Sequence, residues 1–162
     1  MIAAVWLAAT PTFARLQCSE TDIAVLADPE AAPSICRMAS SAIAELATCS
    51  ISLDRPILIE IVDALPAGCI GQYHCGEDRI EVLSPTEAHA DLKAENPMSG
   101  IDPDAFYYSI LVHELAHAAL EELPCPFADC YATQEYVAYA MQMRSLSEEA
   151  RATLLTDRKS VV

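Results

Sequence analysis

Positive charge is what this sequence has least of. Nine Lys and Arg stand against 24 Asp and Glu, a formal charge of −15 over 162 residues. That is the wrong sign for neutralising nucleic-acid phosphates or for docking on an anionic membrane, so neither partner is expected. Glycine is scarce, at 4 residues, and there is no repeat or low-complexity run. Collagenous, disordered and solenoid classes are thereby excluded. Cysteine is plentiful, yet none of the seven forms a Cys-x-x-Cys pair, which argues against a thioredoxin-like redox site and a zinc knuckle. Aromatics make up only 6% of the chain, but 53% of it is hydrophobic. That is core enough for one domain, and no linker divides the chain.

The first apolar run, Ile2 to Ala9, is too short to cross a bilayer. It is followed by Thr10-Pro11-Thr12-Phe13-Ala14, with small residues at Thr12 and Ala14 where a signal peptidase reads, so residues 1–14 read as an export signal and 15–162 as the exported domain. Gln17 before Cys18 is too bulky for a lipid-anchor signal. Seven cysteines suit an oxidising destination, periplasmic or secreted, where bridges form. The local candidates are Cys69 with Cys75 and Cys125 with Cys130. Cys36 and Cys49 sit at opposite ends of one predicted helix, about 19 Å apart, too far to bond each other. Either can pair with Cys18.

The pattern along the chain predicts an α+β fold with a small mixed sheet built early and a helical second half. Asp22 to Ala27 reads as a strand and Ser34 to Thr48 as an Ala-rich helix with Ile35, Met38, Ala42, Ile43 and Leu46 on one face. Pro56 to Val62 is β-branched and reads as a strand; Gly71 to Leu83 reads as a hairpin bending at Gly76-Glu77-Asp78. Ser84 to Gly100 is polar and reads as loop or loose helix. A long helix then starts with Asp102 as cap and Pro103 in its first turn and runs to about Glu122. A second helix covers Ala132 to about Leu146, and the tail forms a further short one.

The long helix carries His113-Glu114-Leu115-Ala116-His117, an H-E-x-x-H motif. Two histidines four apart lie about 40° apart around a helix and about 6 Å along it, so both imidazoles reach one metal ion from the same face. Glu114, beside the first ligand, is placed to move a proton rather than to bind metal. The motif is embedded among Ile110, Leu111, Val112, Ala118, Ala119 and Leu120, a costly setting for three polar side chains unless something satisfies them. Catalytic zinc takes three protein ligands and keeps a fourth position open. The best third ligand is Glu135, eighteen residues after His117 at the start of the next helix. Asp129 is the alternative, and Glu121 and Glu122 are expected to face solvent. Tyr131, Tyr136 and Tyr139 lie near the third ligand and are candidates for hydrogen bonding to an oxyanion, although such tyrosines are more often packing residues with a wet hydroxyl. His74 and His89 fall in loop-like sequence and read as exposed.

H-E-x-x-H followed by Glu135 on the next helix resembles the gluzincin zinc metallopeptidases, of which thermolysin is the familiar member. Glu135-x-x-Ala138 also fits that family's habit of placing a small residue one turn after the ligand. The resemblance spans about residues 71 to 146 and is nearest to very short single-domain gluzincin-like proteins. It implies a zincin-like fold, zinc held by His113, His117 and Glu135, Glu114 as the catalytic base, and a peptide or protein substrate. It also implies that strand 79–83 is the edge bordering the cleft. Tyr139 stands where many relatives carry an Asp that orients a ligating histidine, so that role is left unassigned. Metzincins are disfavoured by Leu120 and Leu123, and an Asp-type zincin by the missing Gly-Thr before Asp129. Two other readings use the same residues differently: a metal-binding module without peptidase activity, and a disulfide-stapled interaction protein.

Overall fold

A computed structural model describes residues 13–92, 96–125 and 130–157. The export segment read at residues 1–14 therefore lies almost wholly outside the described residues, as does Asp129. Five strands form one mixed sheet: β1 (Ala14–Gln17), β2 (Ile23–Ala27), β3 (Ile57–Val62), β4 (Gly71–His74) and β5 (Arg79–Leu83). Their spatial order is β1-β2-β3-β5-β4. The three central strands run parallel, and the two edges, β1 and β4, are antiparallel to their neighbours. Five helices accompany the sheet: α1 (Ala32–Ala47), α2 (Pro85–Asp91), α3 (Pro103–Leu120), α4 (Tyr131–Ser145) and α5 (Glu148–Asp157). The α+β reading of the sequence is thus correct at the level of class.

The central strands earn their position by alternation. In β3, Ile57, Ile59 and Ile61 are buried while Leu58, Glu60 and Val62 are only partly so, the period of two expected of a strand with one core face. In β5 the core residues are Ile80, Val82 and Leu83. β4, with the sequence Gly-Gln-Tyr-His, buries only Tyr73. This corrects the expectation that 79–83 forms the edge. β5 is paired on both sides and apolar enough to sit inside, whereas the short polar β4 takes the rim.

Helix α3 begins where the sequence places it. The Asp102 carboxylate accepts from the backbone N–H groups of Asp104 and Ala105 at 3.1 and 3.0 Å, the cap that satisfies orphan donors of a first turn. The helix is then buried on nearly every side, packing on α1, α2, α4 and the β4–β5 hairpin. Ser84 and Pro85 start α2 in the same manner, which makes a regular helix of the first part of the stretch expected to be loop or loose helix.

Two disulfides form, Cys18–Cys36 and Cys125–Cys130. The first ties the β1–β2 turn to α1, and the second joins the residues just ahead of α4. The expected Cys69–Cys75 bridge does not form, and Cys49, Cys69 and Cys75 are free thiols. The reason is β4 itself: its four extended residues lie between Cys69 and Cys75, and a run of that length spans about 13 Å, beyond the reach of a disulfide.

Candidate metal centre

Helices α3 and α4 bring His113, His117 and Glu135 together. The two Nε2 atoms lie 3.1 Å apart. Glu135 Oε1 is 3.3 Å from His117 Nε2, and Oε2 is 3.9 Å from His113 Nε2. Ligand atoms at 2.0–2.1 Å around a tetrahedral ion are separated by about 3.3 Å, so two imidazole nitrogens and a carboxylate oxygen at these spacings match three corners of such a shell. The set can hold a metal ion. Close approach of α4 is permitted by Ala138, which is completely buried one turn beyond Glu135.

Electrostatics point the same way. Burial, reinforced by His117 and partly opposed by Glu135 and the Gln142 side chain, pushes the His113 pKa down to about 4. Burial likewise lowers that of His117, against the pull of Glu135. Both rings are therefore neutral near pH 7, the form that binds metals. Two neutral rings and a carboxylate converge with few protons to share among them. Such a cluster is explained by a cation.

Glu114 reaches the sheet edge. Its carboxylate accepts the Tyr73 backbone N–H at 2.9 Å. Burial pushes its pKa up to about 8, with the Tyr73 N–H working against that rise and Glu135 adding to it. Gly71 makes room for it: a Cβ there would sit 2.7 Å from Glu114 Cγ and 2.8 Å from Oε1. No other residue type fits at position 71 without moving that carboxylate.

The chain belongs to DUF6639, a family of unknown function. The match covers residues 23–161, from β2 onward, and so contains the whole triad, Glu114 and their supports. No curated protein and no solved structure matches the chain.

The remaining candidates separate clearly. Tyr139 packs its ring edgewise on His113 with centroids 4.6 Å apart, and the Glu135 carboxylate hydrogen-bonds the Tyr131 hydroxyl and raises its pKa. Tyr131 and Tyr139 thus flank Glu135 along one face of α4, both well exposed, whereas Tyr136 is 75% exposed on another. His89 is exposed, as expected. His74 is not: it pairs with Glu81 at 2.9 Å, half-buried. Neither belongs to the triad.

Glu122 faces solvent, but Glu121 turns inward, contrary to expectation. It accepts from the Tyr73 hydroxyl at 2.6 Å, from Arg55 at 2.8 Å and from the Gly76 N–H at 2.6 Å. Arg55 also donates to the Ala118 carbonyl at 2.7 Å and meets Asp78 at 2.6 Å. Tyr73 therefore contacts α3 twice, by its N–H to Glu114 and its hydroxyl to Glu121. The sequence signal was a seven-residue spacing of glutamates on one helix, two turns apart. Sequence reasoning also missed Ser109 and Gln142, the other buried polar pair between α3 and α4, with Gln142 Nε2 3.3 Å from Ser109 Oγ.

Proposed function

We propose that this chain is an exported, zinc-dependent peptidase of zincin-like, gluzincin type, with zinc held by His113, His117 and Glu135 and with Glu114 as the proton-transfer group. The observation that carries the reading is a three-ligand set with a buried carboxylate next to it that is not a ligand. Zinc bound there supplies Lewis acidity toward a peptide carbonyl and toward water. Glu114, whose carboxyl is held near neutrality by burial, takes the proton of the attacking water and returns it to the leaving amine. Tyr73 and Gly71 keep that carboxylate in place at the strand edge.

β4 is the strand available to an extended peptide, because β5 is paired on both sides. Ile70 accepts from Leu83 N–H, so antiparallel alternation turns the backbone groups of Gly71 and Tyr73 outward. The Tyr73 N–H is committed to Glu114; Gly71 and the Tyr73 carbonyl are left for substrate. Two disulfides, and the absence among the described residues of any helix long and apolar enough to cross a membrane, are compatible with export to the periplasm or beyond.

The test is Glu114→Gln in zinc-loaded protein, assayed against a peptide library. Cleavage is expected to fall by about 10²–10⁴-fold with zinc content unchanged. Equal rates in wild type and variant overturn the assignment of Glu114. Stoichiometric zinc in a wild type that cuts nothing favours instead a metal-binding module without peptidase activity.

A further inference from the structure

We infer that Gln142 is the positioning residue of the metal site: its side-chain carbonyl accepts the Nδ1–H of His113 and so fixes Nε2 as the atom offered to the metal. The inference rests on the proposed metal site and begins with a residue four positions before His113. Ser109 is completely buried, one turn ahead of His113 on α3. Its hydroxyl donates to the Phe106 carbonyl at 2.7 Å. A hydroxyl has one proton, so Ser109 Oγ can offer only lone pairs to anything else.

Gln142 meets that oxygen with Nε2 at 3.3 Å. The hydroxyl therefore decides which way round the amide lies, with NH₂ toward Ser109 and Oε1 on the other side. Gln142 is 3% exposed, and a buried amide needs a donor for its carbonyl as much as an acceptor for its NH₂. The Gln142 side chain lies close enough to the His113 ring to act on its proton affinity, and His113 Nδ1 is buried with no hydrogen bond closed to any group, so the donor that the amide carbonyl needs and the partner that Nδ1 needs are met by one contact. Backbone carbonyl, hydroxyl, amide and imidazole thus form one directed chain from Phe106 O to His113. An imidazole protonated on Nδ1 has its lone pair on Nε2, and Nε2 is the atom that faces His117 and Glu135. The placement follows from α4: Glu135, Ala138 and Gln142 are spaced i, i+3, i+7, one stripe against α3. A neutral amide in this role orients the ring without placing a second buried carboxylate beside it.

Two readouts test this on Gln142→Met, Gln142→Glu and Ser109→Ala: zinc affinity by competition with a chromophoric chelator, and the His113 tautomer in metal-free protein from ¹⁵N–¹H ring correlations. Wild-type His113 is expected as the Nδ1–H tautomer. Gln142→Met, similar in volume but unable to accept, is expected to weaken zinc by about 10–100-fold and to shift His113 toward Nε2–H. Gln142→Glu, which still accepts, is expected to bind more tightly than Gln142→Met, and Ser109→Ala to fall between Gln142→Met and wild type. A packing role predicts the reverse order for Met and Glu. An Nε2–H tautomer in the wild type, or zinc affinity unaltered in Gln142→Met, overturns the inference. If wild type binds no zinc, the metal reading fails, while the tautomer measurement still decides the role of Gln142.

Discussion

Two half-buried glutamates meet helix α3 at different places, and the two are balanced differently. At its C-terminal end, Glu121 meets Arg55, the Tyr73 hydroxyl and a backbone N–H, and Arg55 reaches Asp78 as well. Negative charge there is answered by one of only nine cationic side chains in the whole sequence. One to two turns earlier, Glu135 from α4 faces two rings held neutral by burial, and among the described residues no Arg or Lys pairs with it. The same protein that neutralises a half-buried carboxylate with arginine leaves this one to face two imidazole nitrogens. The contrast teaches where positive charge can enter: one cluster is complete in the chain's own side chains, and the other can be completed by an ion.

The largest effect expected from breaking this contrast is on the metal side. Zinc at a thousand times its Kd should stabilise the wild type by about 4 kcal/mol, a rise in Tm of roughly 8–16 °C for a domain of this size. His117→Ala and Glu135→Ala should lose that rise. Thermal unfolding with and without zinc reads it directly. Next in size is Arg55→Met. Its removal strands Glu121 and Asp78, and because the cluster is only partly buried the loss should be about 2–3 kcal/mol, between the values for exposed and buried pairs. Urea unfolding should return the same loss with or without zinc. If Arg55→Met also abolished zinc binding, the two clusters would be one unit and the contrast would be lost.

Much of this was legible in the sequence because its signals are local. The β-branched run of β3, the cap at Asp102 with Pro103 behind it, and the i, i+4 histidines specify β3, α3 and two members of the triad from neighbouring residues alone. Glu135 was legible because a ligand on the returning helix must follow a connection of limited length. The failures are all long-range. β1 is four residues of mostly exposed chain, Ala-Arg-Leu-Gln, with no alternation to betray it, and pairing with β2 is what makes it a strand. Which of β4 and β5 forms the edge depends on β5 pairing with β3, across an intervening strand. Cys69 and Cys75 are close in sequence and held apart by the strand between them. Glu121 reads as a surface residue until Arg55, 66 positions away, is folded against it. Gln142 and Ser109 are 33 residues apart, and nothing short of the α3–α4 packing joins them.

The smallest effect is the most discriminating, because pH addresses the two clusters separately in metal-free protein. Burial favours the protonated form of Glu121, but the bonds from Tyr73, Arg55 and the Gly76 N–H outweigh it and hold the carboxyl below its usual range. A carboxyl lowered by folding contributes stability above its unfolded pKa, about 4.3, and that contribution is lost as pH falls through the folded value. His113 acts higher on the scale. Its unfolded pKa near 6.5 drops to about 4 on folding, so the unfolded chain takes up the proton first and stability declines across that interval. The raised carboxyl of Glu114 acts in the opposite sense over the same range, adding stability as pH falls, so the two stages of decline, histidine first and Glu121 below it, are to be read in a Glu114→Gln background. Glu121→Gln should flatten only the lower stage in urea titrations and leave the decline between about pH 6.5 and 4 intact. A variant that flattened the upper stage would mean that the arginine cluster and the triad titrate together, and that Tyr73, the residue touching both Glu114 and Glu121, couples them.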